Sequence, residues 1–158
     1  MTKKGMEGAN ARFFPPFLLA ISLVLSSILE VFFFSFSVFE GSFIQLAIGL
    51  ILVCIALGTV FYTLKIFWAN QENPHPKSLQ NQLFLGATFN FTRNPIYLSM
   101  IFILIGCGIA FNSVWYLIFS VIAFFLLHFG VVIPEEKYLE KEFGTVYLEY
   151  KKSVRRWL

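Results

Sequence analysis

Residues 95–133 read PIYLSMIFILIGCGIAFNSVWYLIFSVIAFFLLHFGVVI and contain no Lys, Arg, Asp or Glu. The polar break between the two halves is Asn112-Ser113, which divides the run into 95–111 and 114–133. A helix needs about 20 apolar residues to cross about 30 Å of hydrocarbon. The second piece reaches that length and the first approaches it, so the pattern predicts two spans joined as a tight helical hairpin. Further outward lie residues 43–64, free of charge, and residues 15–39, interrupted by Glu30. The expected fold is therefore all-α: a polytopic integral membrane protein with four transmembrane helices at about 15–39, 43–64, 95–111 and 114–133, and one membrane-embedded domain over 1–158.

Composition agrees. Of 158 residues, 58% are hydrophobic, 13% charged and 19% aromatic, with 21 Phe. Soluble domains carry about 25% charge, so a soluble domain, a disordered chain, a disulfide scaffold and a nucleic-acid-binding module are all excluded. Cys54 and Cys107 both sit inside apolar runs and read as lipid-facing or core filler. Lys3, Lys4 and Arg12 ahead of the first run resemble a signal-peptide n-region. The run is too long for an h-region and lacks a small-residue cleavage site, so it reads as a retained span.

Basic residues fix the expected orientation. All twelve Lys and Arg lie before residue 15, between 65 and 93, or after 136, and none lies near Gly41 or Asn112. The positive-inside rule then places both termini and the 65–94 loop in the cytoplasm, at a bacterial inner membrane or a eukaryotic endoplasmic reticulum. A loop of that length is usually functional. Within it Asn73-Pro74-His75-Pro76 reads as a rigid turn, because each proline holds the residue before it extended.

Two polar clusters remain. Thr92-Arg93-Asn94-Pro95-Ile96-Tyr97 opens the third span, with Asn94 a favoured N-cap and Pro95 a favoured first helical residue. A helix start beside Arg93 makes a site for an anion such as a carboxylate; the simpler reading is a capped helix with Arg93 snorkelling to lipid phosphates. Pro134-Glu135-Glu136 closes the fourth span, the proline interrupting the helix. Leu139, Phe143, Val146, Tyr147, Tyr150 and Val154 then recur at helical spacing, as in a C-terminal interfacial amphipathic helix. The hairpin brings the Arg93 cluster and the Glu pair to one membrane face. Elsewhere, Glu30 reads as snorkelling to the far surface, His128 as a satisfied core histidine, and Gly106 with Ala110 as a helix-packing pair. His75 has no recognisable partner, so a metal site is not expected.

These residues resemble the isoprenylcysteine carboxyl methyltransferase family, which belongs with the small phospholipid methyltransferases in one membrane superfamily. Arg93, Asn94, Pro95 and Tyr97 fill its R-[HN]-P-x-Y motif. Glu135, Glu136, Leu139, Phe143, Gly144, Tyr147, Tyr150 and Val154 fill its E-E-x-x-L-x-x-x-F-G-x-x-Y-x-x-Y-x-x-x-V motif. The likeness covers about 84–158, with a weaker echo at Pro15-Pro16. It implies S-adenosyl-L-methionine as cofactor and a lipid or prenylated acceptor entering from the bilayer, with no nucleic acid involved. By that resemblance Arg93, Asn94, Pro95, Tyr97 and Leu98 line the cofactor site with Glu136 nearby, and Glu135 and Arg93 are the catalytic pair, Glu135 facing the reacting centre.

Three departures bear on the substrate. Asn94 stands where the family often has His; Gly86 is seven residues before Arg93 rather than six; and Val131 stands where carboxyl-methylating members commonly carry Arg. An anionic acceptor in a low-dielectric site needs a compensating cation. The resemblance thus implies methyl transfer to a prenylcysteine carboxylate, whereas Val131 suits an amine or thiol acceptor whose proton Glu135 takes. A non-catalytic protein retaining the fold is the remaining alternative.

Overall fold

The computed structural model describes residues 8–33 and 41–158, so residues 34–39 of the expected first span lie outside it. Among the described residues there is no strand. Five helices follow in order: α1 (Pro15–Phe32), α2 (Phe43–Ala69), α3 (Pro95–Ala110), α4 (Val114–Leu127) and α5 (Ile133–Ser153). A short 3₁₀ turn, Ala87–Asn90, precedes α3, and a π-turn, His128–Val132, joins α4 to α5.

Helix α3 lies at the centre, packing along α2 and against α4 and α1. Its central place explains its composition: a helix apolar on every side is one surrounded by protein. It buries Tyr97, Met100, Ile101, Ile103 and Leu104, the last completely. Close approach to α2 rests on small residues, as expected for Gly106 and Ala110. A methyl group added at Gly49 would lie 2.4 Å from the Ala110 nitrogen. Such contacts replace the hydrophobic drive that helices lack in lipid.

Among the described residues three helical stretches are long and apolar enough to cross a membrane: α1, α2, and the continuous run Val114–Ser153. α3 is apolar but has 16 residues, about 24 Å at 1.5 Å per residue. α2 runs five residues past the expected end at 64, because Phe67 is buried against Phe84 and Phe89 at centroid distances of 4.8 and 6.2 Å.

α3 and α4 are joined through residues 111–113, with Asn112 in the left-handed region (φ 54°), which Asn tolerates. Ser113 donates its hydroxyl to Glu30 from α1. Glu30, expected to snorkel toward the far surface, is thereby tied to the turn that opens α4.

Pro134 does not interrupt the chain of helices. Proline removes a donor that an α-helix would aim at the carbonyl four residues back, here that of Gly130. The helix instead widens into the π-turn, and the Gly130 carbonyl accepts a 2.8 Å hydrogen bond from the Arg12 backbone. Gly130 permits this close approach, since a Cβ there would fall 2.5 Å from the Phe13 ring. Residues 8–14 are thereby fastened across the α4–α5 junction.

α5 also departs from a simple amphipathic helix. Gly144 takes φ 54°, ψ −126° and kinks it, a conformation glycine adopts without steric cost. The kink divides the expected apolar face. Tyr147 and Tyr150 turn inward while Val146 is 51% exposed, and the buried side also carries Glu136.

Candidate functional site

The 70–94 loop, the start of α3, α5 and residues 155–158 converge at one end of the bundle. The loop is built from local bonds. Asn73 Oδ1 accepts the His75 N–H at 2.9 Å, and Ser78 donates its hydroxyl to the Asn73 carbonyl at 2.8 Å, forming the rigid turn expected there. Glu72, buried, accepts the Asn81 N–H at 3.0 Å. The loop is pinned to α5 where Gln80 donates its backbone N–H to the Tyr138 hydroxyl at 3.1 Å.

Residues 155–157 form a strap beneath the start of α3. Arg93 donates its backbone N–H to the Arg155 carbonyl at 3.1 Å. The Arg156 carbonyl accepts from Thr92 Oγ1 at 3.1 Å and Asn94 Nδ2 at 2.9 Å. Asn94 holds the N-cap position, but its side chain makes no capping bond because its amide is spent on the strap. Trp157 donates its indole N–H to His128 Nδ1 at 3.2 Å, so His128 is the satisfied histidine expected.

The two adjacent glutamates meet opposite surroundings. Glu136 is buried and ringed by cations. Arg156 Nε and Nη2 each donate to it at 2.8 Å, Arg93 Nη1 lies 3.1 Å away, and Lys151 Nζ lies at 3.9 Å. Burial opposes ionisation, but the Arg156 hydrogen bonds and the charges of Arg93, Arg156 and Lys151 outweigh it and hold Glu136 below the usual carboxylate range.

Glu135, just beyond the end of the fourth apolar run, has no such ring. Its Oε2 accepts the Tyr97 hydroxyl at 2.8 Å. Burial pushes its pKa up to about 7 against the lowering effect of that bond, with the charge of Glu136 adding to the rise. A carboxyl poised near neutrality in a cleft suits proton transfer.

Arg93 completes the constellation. Its side chain is 8% exposed, and its Nε and Nη1 have no hydrogen-bond acceptor; Nη1 meets Glu136 as an ion pair without hydrogen-bond alignment. Buried donors are nearly always satisfied, so Nε retains a donor that a ligand could use. Arg93, Asn94 and Glu135 line two adjoining narrow cavities. The first is walled by Phe67, Phe84, Phe89, Tyr147 and Tyr150, with Glu136 at its edge. The second runs along Pro95 and Tyr97 toward a larger apolar cavity of about 260 Å³ between the start of α1, α2 and the 73–76 turn, where Phe14 stacks on His75.

Of the residues expected at the site, Arg93, Asn94, Pro95, Tyr97, Glu135 and Glu136 come together. Leu98 does not: it lines a separate apolar cavity between α2 and α3. Val131 is completely buried in a core with Ala11, Tyr97 and Met100, and brings no charge. Sequence reasoning missed Arg156, counted only as one of many terminal cations, and the aromatic wall Phe67, Phe84 and Phe89. The signal for the wall was a Phe-rich loop flanking Arg93.

A family model described as phospholipid methyltransferase matches residues 44–146. No curated protein and no solved structure matches the chain. The matched segment, well over half the chain, holds α2, α3, α4 and both glutamates; the chain belongs to the phospholipid methyltransferase family, a family of membrane methyltransferases.

Proposed function

We propose that the protein binds S-adenosylmethionine at the Arg93 cavity and methylates a membrane-partitioned acceptor whose reacting group reaches Glu135 through the apolar cavity beside Tyr97. The observation that carries this reading is the buried Arg93 guanidinium, whose Nε has no hydrogen-bond acceptor, lining the same cavities as a carboxyl poised near neutrality. The residues fit the cofactor. Arg93 would hold its carboxylate by charge-assisted hydrogen bonds, Asn94 would line the same pocket, and the aromatic wall suits the nucleoside and the sulfonium cation. Glu136 neutralises and positions Arg93. The cavities are narrow, so entry displaces the loop pinned by Gln80 and Tyr138.

The bound cofactor supplies an activated methyl group on a sulfonium. Around it, the protein's work is alignment and exclusion of water. For an amine acceptor, Glu135 would take the amine proton as the nitrogen lone pair displaces the sulfonium sulfur from the methyl carbon, leaving the bond electrons on sulfur. Tyr97 orients that carboxylate through Oε2. An amine fits better than a carboxylate here, because Val131 supplies no cation and an anionic acceptor would face Glu135 as a like charge. The motif resemblance favours a prenylcysteine carboxylate as the second reading.

In the bilayer, α1, α2, α3 and α4 act as four spans, with α3 and α4 as a hairpin. The short α3 is tolerated because neighbouring helices surround it. The charge distribution orients the site and both termini toward the cytoplasm.

Incubating the purified protein with methyl-labelled S-adenosylmethionine and micelles of phosphatidylethanolamine or a farnesylcysteine analogue tests the reading. Label on the lipid amine supports the first acceptor, and a base-labile ester supports the second. No label on either acceptor, from a folded protein that also fails to bind S-adenosylmethionine, overturns the assignment.

A further inference from the structure

A second recess, of about 500 Å³, opens on the outer side of the α4–α5 junction and shares no lining residue with the cavities around Glu135. Arg12, Lys137 and Lys141 line it, with Tyr138 beside them and Phe129 and Ile133 as its apolar floor. Among the described residues its lining has three cations and no carboxylate. Three acids of α5 are engaged elsewhere, Glu135 with Tyr97, Glu136 with Arg93 and Arg156, and Glu140 with Lys151. Lys137 and Lys141 stand one helical turn apart, a like-charge spacing that disfavours the helix unless an anion sits between them. The Arg12–Gly130 backbone bond fixes Arg12 at the rim.

The floor distinguishes a lipid from a free anion. Phe129 is 60% exposed and stacks on Phe125, itself 52% exposed, one turn further along α4. This apolar strip leads from the cationic recess along the membrane-facing side of the helix, where an acyl chain lies below its headgroup. We infer that the recess binds the headgroup phosphate of an anionic phospholipid, holding residues 8–12 against the junction from which Glu135 projects. The lipid here is a bound effector, separate from the methyl acceptor, and the inference does not depend on the proposed reaction.

The test uses the full chain in phosphatidylcholine nanodiscs carrying increasing fractions of phosphatidylglycerol, followed by thermal unfolding. The unfolding midpoint should rise and saturate with phosphatidylglycerol. At about 1 kcal/mol per interfacial cation, the fraction giving half the rise should increase about fivefold in Arg12→Gln and roughly 30-fold in Lys137→Gln/Lys141→Gln. Lys152→Gln, an exposed lysine of the same helix outside the recess, should leave it unchanged. An undiminished rise in the double variant, or equal losses in Lys152→Gln, overturns the site. Inorganic phosphate reproducing the shift in pure phosphatidylcholine discs overturns the lipid as occupant.

Discussion

Arg156 closes on Glu136 through two parallel hydrogen bonds of 2.8 Å, while its own carbonyl receives Thr92 and Asn94. One residue thus ties α5 to the start of α3 from both its side chain and its backbone. The same carboxylate lies 3.1 Å from Arg93 Nη1, so the pair also holds the arginine that lines the cavity.

Removing Glu136 should be costly. Breaking a buried ion pair by deleting one partner costs about 3–5 kcal/mol, so Glu136→Ala should lower the denaturation midpoint markedly. With its pKa held below normal, the Glu136 contribution is fully present above the ordinary carboxylate range. It is lost as pH falls through the depressed value. Chemical denaturation at pH 7 and pH 3 should show a smaller pH effect in the variant than in the wild type.

Arg93→Ala should weaken S-adenosylmethionine binding by about 10- to 100-fold, the worth of charge-assisted hydrogen bonds to one ligand anion. Calorimetry in detergent reads this directly, and an unchanged affinity would remove Arg93 from the cofactor site.

Glu135→Gln should abolish methyl transfer with cofactor affinity preserved. Tyr97→Phe should reduce the rate about 10-fold or more by freeing the carboxylate to rotate. Full turnover in Glu135→Gln would exclude Glu135 as the proton acceptor.

The same carboxyl sets a pH profile. Raised to about 7, it must lose its proton to accept another, so kcat/KM should climb between about pH 6 and pH 8 and level off above. A flat profile across that interval, in the wild type, would contradict the assignment.

Gly130→Ala should destabilise by about 1–3 kcal/mol through overpacking against Phe13, and Phe13→Ala should recover most of the loss. Equal loss with and without Phe13 would locate the cost elsewhere.

The spans were readable because hydrophobic length needs no tertiary information: residues 43–64 and 114–133 announce themselves by the absence of charge. The meeting of Arg93 with the glutamates was readable too, from the direction reversal at Asn112-Ser113 and the RNPIY and Glu-Glu motifs. The partner of Glu136 was not. A lone Arg156 among terminal cations carries no local mark of the residue it will pair with. The separation of Leu98 from the site likewise depends on which side of α3 faces α2, and a helix apolar all round gives no sign of that. Nor was Pro134 readable as anything but a break, since the Arg12 donor that replaces its missing bond comes from more than a hundred residues away.

The π-turn at His128–Val132 has an angular meaning. Each residue of an α-helix advances the direction of its side chain by about 100°, and a π-turn accommodates one residue more than a regular turn. Wound as a regular α-helix, the same sequence would carry every residue beyond this turn one position further round. Glu135 would then take the bearing that now points Glu136 at Arg156, and Pro134 would face Tyr97. Which of two identical neighbours meets the tyrosine and which meets the arginine is, on this geometry, a matter of helical phase.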